Sequence, residues 1–426
     1  MTNLKDQRSG QLMIVGALLI VTLLSFLGLA VDGGTLLLRK RHMQTAADGG
    51  ALYGIQEVRR GRFDQVETTA RLGAQTNGFQ HGVDGATVTV NRPPLTGDYT
   101  SGADAVEVIV CQPQRTYFLS VLNIWDAGVC ARGVAAMVAG GACVISLNPT
   151  EEKALYVHSG ALLDADCGVQ ANSNNPGALD VSSGSCLRAE YAGVTGGTEE
   201  DICLLPGYGT EAIDPAAVTG VPPLVDPLLT LPPPPMDASC PSSHTKLEVT
   251  SDMTINPGTY CEGIKVGNGN TLTLNPGIYV VRGDLFDIAG TGSRVYGRNV
   301  MIYLTDLPGM EGKGLKVGSA GELDITAPSG GVYNGIAIYV DRTLPYHKAD
   351  VSFESASTIS ISGVIYAPNQ IVRVHSNSQA GLTAGGGLAI VGDFVEVTSS
   401  GSGLRVSDDF SSYADGSPLK VPVLVE

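Results

Sequence analysis

The strongest constraint on this chain lies near its start, where Gln11 to Val31 runs for 21 residues without a charged side chain. As a helix rising about 1.5 Å per residue, the run reaches about 30 Å, the thickness of one bilayer core. A secretory signal has a shorter apolar core, about 7–15 residues, closed by a small-x-small cleavage site. Here the run is longer and continues through Asp32, Gly33, Gly34 and Thr35 to Leu36, Leu37 and Leu38, then Arg39, Lys40 and Arg41. The expectation is an uncleaved transmembrane anchor with everything after it on one side of a membrane. A long signal sequence is the alternative.

A chain of 426 residues is too long for one simple core and predicts two or three domains. Its 55 glycines and its 16% of charged residues suit short strands joined by tight turns better than helical bundles. The formal charge of −16 argues against a nucleic-acid partner, because no basic stripe offsets phosphate repulsion. All eight cysteines lie between Cys111 and Cys261, beyond the apolar run. An even number placed there predicts disulfides in an oxidising compartment. No pair has the C-x₂-C spacing of a structural zinc site, so metal is the weaker reading. Basic residues flank the run on both sides: Lys5 and Arg8, offset by Asp6, before it, and Arg39, Lys40 and Arg41 after it. Charge alone is therefore neutral or favours the opposite orientation. The cysteines decide, and they put the C-terminal bulk outside the cytoplasm.

The helix is expected to continue past the membrane. Leu36, Met43, Ala47, Ala51 and Ile55 recur at spacings of seven and four, which places them on one face. Ala46, Ala47, Gly49, Gly50 and Ala51 are small enough to let another backbone come close, most simply that of the domain that follows. The pattern Ala30-x-Asp32-x-Gly34, the basic cluster Arg39 to Arg41, and Gln44-x-Ala46-Ala47-Asp48 followed by small residues resembles the N-terminal signature of TadE/TadG-like proteins of tight-adherence (Flp/Tad) pilus systems. One departure is Gly49-Gly50, where alanines are more usual, which weakens helix propensity. The resemblance makes Asp32, Gly34, Gln44, Ala46, Ala47 and Asp48 the family-motif residues.

Phe63 to Phe79 predicts a short amphipathic helix using Phe63, Val66, Ala70, Leu72 and Ala74. Ala86–Val90 and Ala105–Cys111 alternate as strands, with a loop from Asn91 to Asp98 between them. Thr116–Trp125 reads as a helix burying Phe118, Leu119, Leu122 and Trp125, and Gly128–Val138 closes as a strand. The succession predicts a small α+β domain with helices on one sheet face. A similar succession follows the anchor in TadG-like proteins. Cys111 and Cys130 fall on the strands bracketing the second helix, which suits a cross-strand disulfide.

From Cys143 to about residue 410 helical periodicity is almost absent. Short apolar alternations recur at Leu155–Val157, Leu179–Val181, Leu272–Leu274, Phe286–Ile288, Leu323–Ile325 and Ile359–Ile361, many followed by Gly, Ser or Asn. Asn256-Pro-Gly-Thr-Tyr260 and Asn275-Pro-Gly-Ile-Tyr279 repeat at an offset of 19 residues. A period near 20 with brief strands predicts a mainly-β region built as a β-solenoid (β-helix), with a β-sandwich as the rival. The proline-rich stretch 219–240 cannot pair as a central strand. It is expected either as an excursion laid along the solenoid or as a bridge between two parts of it. The apolar end, Val421 to Glu426, suits an edge strand on the body or on a neighbour.

Chemistry is hard to find. Polysaccharide lyases and hydrolases need paired carboxylates about 5–9 Å apart or a calcium cluster. Asp284 with Asp287, Glu322 with Asp324, and Asp341 beside Arg342 are the candidates. Asp284 and Asp287 have odd separation, so a regular strand points them to opposite faces. Glu322 and Asp324 read as outward residues alternating with Leu323 and Ile325. His42, His81, His158, His244, His347 and His375 are scattered and read as surface histidines. Asp180 to Ser185 lacks the second serine of an Asp-x-Ser-x-Ser metal site, and the glycines after Lys265 lack P-loop order. Pilin-type cleavage after Gly10 would want glutamate where Val15 stands, so it is not expected.

These readings divide the chain into an anchor and extended helix (1–60), a small α+β domain (61–140), a solenoid-like domain (141–410) with its proline-rich excursion (219–240), and a tail (411–426). Neighbouring cysteines are expected to pair, as Cys111–Cys130, Cys143–Cys167, Cys186–Cys203 and Cys240–Cys261. The resemblance extends to Cys143–Pro149, Cys167–Asn172, the proline-rich region and the two Asn-Pro-Gly-x-Tyr strings. It implies a single-pass protein of a bacterial inner membrane, its bulk in the periplasm or outer envelope. The implied role is structural, in pilus assembly or surface adhesion, without enzymatic activity, metal or cofactor. The implied partners are the lipid bilayer and Tad/Flp pilus assembly or secretion proteins, with self-association a further option and nucleic acid excluded. A pilus-independent glycan-binding adhesin and a β-helix polysaccharide-active enzyme are the rival classes.

Overall fold

Two units divide the chain: Met1–Val138 together with Val421–Glu426, and Ala139–Lys420. The computed structural model describes residues 4–101, 104–236, 240, 246–354, 357–375, 379–381, 386–398, 403–413 and 416–426.

The first unit is built on α1, Leu4–Arg59, a helix of 56 residues. At 1.5 Å per residue it is about 84 Å long, and no proline interrupts it. Its two halves have opposite surroundings. Leu18, Leu24, Phe26 and Leu29 are exposed, whereas Met43, Ala46, Ala47, Ala51 and Ile55 are fully buried. Among the described residues it is the one helix long and apolar enough to cross a membrane. The helix is therefore an anchor by composition and a core element by packing.

The buried stripe of α1 meets α2 (Val66–Thr76) and an antiparallel sheet of β1 (Thr87–Asn91), β2 (Ala105–Arg115) and β3 (Asp126–Ala139). We call α2 and this sheet the collar. Val88, Val106, Val108, Val110, Ala131 and Ala135 complete the core. Small residues allow the close approach: a Cβ on Gly73 would lie 2.8 Å from the Gly49 carbonyl oxygen and 2.9 Å from the Gly50 Cα. Residues Lys420–Leu424 extend the sheet at the β3 edge, and Val425 N–H donates to the Val134 carbonyl at 2.9 Å.

Two local expectations need correction. Phe63 and Leu72 are exposed rather than packed. Phe63 sits in a 3₁₀ turn ahead of α2, its ring under the Arg92 guanidinium, and Leu72 is about 200° around the helix from Ala70, on the far side from α1. The second correction concerns Thr116–Trp125, which is no full helix. Strands β2 and β3 pair without slip from Ala105↔Ala136 to Arg115↔Asp126, so only residues 116–125 remain to reverse the chain. They form one 3₁₀ turn, Leu119–Leu122, and leave Phe118 and Trp125 exposed. Leu119 is half-buried, and the side chain of Leu122 lies outside the described ones.

The second unit is a β-solenoid whose strands pair in parallel along three lines, which rules out the sandwich. One coil contains Leu247–Val249, Met253–Ile255 and Gly258–Cys261, and the next contains Ile264–Val266, Thr271–Leu274 and Gly277–Arg282. The 19-residue offset read in the sequence is one coil: Ile255 pairs with Leu274, and Asn275 Nδ2 donates to Asn256 Oδ1 at 2.8 Å. Each coil buries one row of apolar side chains against its neighbours. One such row passes from Val249 through Val266, Ile288, Val317, Phe353 and Val374 to Val397.

The row does not stop there. Val397 pairs with Val157 and Val157 with Val181, so the coil that comes last in the chain stacks on the coil that comes first. The same seam appears on the other lines, with Ile390↔Val144 and Leu404↔Leu163. The chain thus enters mid-stack, winds outward to Thr219, crosses to the opposite end, restarts at Leu247 and winds back to its own beginning.

The crossing is the proline-rich stretch. It is both a bridge and an excursion along the solenoid. Val221 N–H donates to the Val194 carbonyl, and Asn172 exchanges two bonds with the Leu224 backbone at 2.7 and 2.8 Å. Farther on, Tyr366 donates to Asp226 at 2.7 Å and Tyr339 to the Leu231 carbonyl. Arg342 donates to the carbonyls of Leu228, Leu229 and Leu231. These carbonyls lie in and beside a turn over residues 227–230, outside any strand ladder, and one guanidinium gathers three of them.

Candidate functional site

The residues of the N-terminal motif come together where α1 leaves its apolar half. Asp32 is buried, and its carboxylate accepts the backbone N–H groups of Tyr117, Phe118 and Leu119 at 3.0, 2.9 and 2.7 Å. It caps the 3₁₀ turn at the tip of the β2–β3 hairpin, supplying an acceptor to N–H groups that a helix start leaves unpaired. About two turns farther along, Arg39 donates to Gln112 Oε1 on β2 at 3.2 Å, and its guanidinium lies 5.2 Å from the centre of the Phe79 ring. Gln44 donates from Nε2 to Asp48 Oδ1 at 2.8 Å and to the Arg132 carbonyl at 2.6 Å. The next residue on β3 is Gly133, where a Cβ would lie 2.6 Å from Asp48 Oδ1 and 2.8 Å from the Ala47 carbonyl carbon.

Each motif position thus has a physical task except one. Asp32 holds the hairpin tip, Gln44 joins helix to strand, Asp48 orients Gln44, Ala47 lets the helix meet β3 at Gly133, and Ala46 is fully buried in the same core. Gly34 has open space around it, and nothing in the structure explains it.

Below this junction the collar carries a buried ion pair. Glu107 on β2 is 1% exposed and bonded by Arg132 Nε at 2.5 Å, by Asn91 and by the Leu95 N–H. Burial pushes its carboxyl up, but these bonds outweigh it and hold the group below the ordinary carboxylate value. Arg132 also bonds Glu426, which tethers the end of the fourth strand.

The eight cysteines form four disulfides between sequence neighbours: Cys111–Cys130, Cys143–Cys167, Cys186–Cys203 and Cys240–Cys261. The first joins directly opposed residues of β2 and β3, and the last ties the end of the crossing to the solenoid coil that contains Gly258.

The candidate catalytic carboxylates do not converge. Asp284 is bracketed by Lys246 at 2.8 Å and Lys313 at 2.9 Å. Burial raises its carboxyl, and the two lysines more than reverse that, holding it well below the usual range. Asp287 stands between Lys265 and Lys316 on neighbouring coils. Glu322 pairs with Arg294 and Asp324 with Arg298, on outward positions alternating with buried Leu323 and Ile325. Asp341 is buried and accepts bonds from Thr305 and Thr343. Among the described residues no group of three or more His, Cys, Asp or Glu is placed to hold a metal.

One constellation escaped sequence reasoning. His347 Nε2 lies 2.9 Å from Asp393 Oδ2, its ring stacks on Tyr346, and Asn148 bonds both Tyr346 and Asp393. Asn148 follows the first strand of the first coil, Ala142–Ser146, and Asp393 belongs to the last coil. The cluster fastens the seam, and no sequence pattern reveals it because its members come from distant coils. His42 and His81 are exposed, His158 and His375 are half-buried, and His244 lies outside the described residues.

Residues 10–59 match the family model Tad, described as "Putative Flp pilus-assembly TadE/G-like". Over this stretch the chain is TadE/G-like. The match ends at Arg59, the last residue of α1, so the TadE/G-like segment is the long helix and carries all six motif residues. No curated protein and no solved structure matches the chain. The TadE/G-like match suggests a Tad pilus-associated component, and the same helix supplies a single apolar segment long enough to anchor it in a membrane.

Proposed function

We propose that the protein is a membrane-anchored structural component of a Tad/Flp pilus system. In this reading the TadE/G-like helix spans the inner membrane once. The disulfide-bonded collar and solenoid lie in the periplasm or outer envelope, where they support pilus assembly or surface adhesion. The observation that carries it is the TadE/G-like helix, whose Asp32 and Gln44 join the anchor directly to the collar. A non-catalytic role agrees with Asp284 and Asp324 being held in ion pairs on the solenoid surface. Cross-linking in intact envelopes, followed by identification of the adducts, tests the proposal. Adducts with Tad/Flp assembly proteins are expected. Adducts confined to unrelated envelope proteins, with piliation unchanged on deletion of the gene, would overturn it. Turnover of a uronate polymer that is lost in Asp284→Asn or Asp324→Asn would contradict the non-catalytic part.

A further inference from the structure

The hairpin tip between β2 and β3 has an unusual surface. From Thr116 to Trp125 there is no Asp, Glu, Lys, Arg or His, and the run is bounded by exposed Arg115 and Asp126. Tyr117 is 70% exposed and Trp125 63%, with Phe118 and Ile124 close to half exposed. Four large apolar or aromatic side chains are left in the open at the end of a hairpin that buries Val106, Val108, Val110 and Val134.

The position of this tip along α1 identifies what covers it. A Cβ on Gly28 would lie within 2.7 Å of three Phe118 side-chain atoms, so the Phe118 ring rests on the helix at Gly28. Gly28 lies three residues inside the uncharged run ending at Val31, or about 5 Å at the helical rise, and that run is about as long as a hydrocarbon core is thick. Asp32, at the outer edge of the run, holds the Tyr117, Phe118 and Leu119 amides. The tip is therefore fixed to the helix at the depth where the bilayer core gives way to headgroups. Thr116 N–H donates to the Trp125 carbonyl, and Trp125 Nε1 donates to Asn123 Oδ1, so the loop backbone and the indole have partners of their own. Tyrosine and tryptophan favour this zone because their rings are apolar and their polar ends tolerate water.

We propose that residues 116–125 are a second membrane contact, with Tyr117, Phe118, Ile124 and Trp125 seated in the interfacial layer of the leaflet facing the collar. The contact rests on the reading of α1 as a membrane span. It gives the protein two points of attachment, which fix the collar's tilt and rotation against the bilayer where a lone helix would leave it free to turn.

Trp125 is the sole tryptophan of the chain, so its emission reports on this loop alone. The full-length protein is reconstituted in phosphatidylcholine–phosphatidylglycerol vesicles whose acyl chains carry bromine at shallow or deep positions. Blue-shifted emission quenched most strongly by shallow bromines is the expected result. A control places the probe in the span, Leu24→Trp in a Trp125→Phe background. If the Leu24→Trp probe is quenched by deep bromines while Trp125 emits as in water, the loop contact is overturned and the span stands. If Trp125 is blue-shifted yet unquenched, a second copy of the chain covers the tip and the lipid assignment is overturned. If neither probe is quenched, the span fails and the loop contact fails with it.

Discussion

The two units solve the same packing problem in opposite ways. The collar gathers around a single helix and relies on absent side chains: Gly50, Gly73 and Gly133 let backbones approach, and directed bonds from Asp32 and Gln44 set the register. The solenoid relies on side chains that are present, with each coil stacking Val, Ile, Leu, Phe and Tyr onto the next. A collar of this kind fails when atoms are added, whereas a solenoid fails when atoms are removed.

The largest effect is expected in the solenoid. Phe353 is 1% exposed in the middle of the inward row, and Phe353→Ala should cost about 3–5 kcal/mol, read as a lower midpoint in denaturant unfolding. Arg342→Ala comes next, because it strips three carbonyls of the crossing of a charged donor. A loss of about 2–4 kcal/mol, with faster amide exchange at residues 224–231, is expected. Arg342→Lys should rescue little of this, since an ammonium cannot span three carbonyls in one plane.

In the collar the informative change is an addition. Gly133→Ala places a methyl 2.8 Å from the Ala47 backbone and should cost about 1–3 kcal/mol, whereas Val134→Ala on the same strand removes atoms from a smaller cluster and should cost less. If the order were reversed, the contrast between the units would not hold. Asp32→Ala removes the acceptor shared by three amides and should cost about 1–2 kcal/mol, read as faster exchange at Tyr117, Phe118 and Leu119.

The smallest effects are those of pH. Glu107 and Asp284 have carboxyls held below their ordinary values, so the folded chain binds fewer protons than the unfolded one. Their stabilisation is complete above the ordinary carboxylate range of about pH 4–4.5 and drains as pH falls toward the lowered folded values. The tyrosines of the solenoid have the opposite sign. Burial pushes Tyr279 up to about 12 and raises Tyr303, Tyr339 and Tyr366 as well. Their contribution is complete below the ordinary tyrosine value near 10 and is lost as pH rises through the folded ones. Denaturant midpoints should therefore be flat between about pH 5 and 9.5, with the acid loss shared by the units and the alkaline loss centred on the solenoid.

Local and periodic features were legible in the sequence. The apolar run, the Asp32-to-Asp48 motif, the buried stripe through Met43, Ala47, Ala51 and Ile55, and the 19-residue repeat all rest on residues close together in the chain. The neighbour pairing of the cysteines follows from the same locality. What stayed hidden depends on residues far apart. The stacking of Val397 on Val157 has no signature, because every inward position accepts the same aliphatic types and nothing in a repeat tells which coil comes last. The Asp32 cap on residues 117–119 was hidden for a related reason, since the motif shows a carboxylate but not its three distant amides. The apolar spacing of Thr116–Trp125 suits a helical face, although the segment forms only one 3₁₀ turn. The apolar groups in fact serve an exposed tip, for which length and burial give no local clue.

The most direct test of the account is non-reducing peptide mapping of the protein taken from the membrane fraction of its own cells. A chain held by its TadE/G-like helix with its bulk outside the cytoplasm should yield four linked peptide pairs, Cys111–Cys130, Cys143–Cys167, Cys186–Cys203 and Cys240–Cys261. Recovery of those cysteines as free thiols would contradict both the folded structure and the compartment proposed for it.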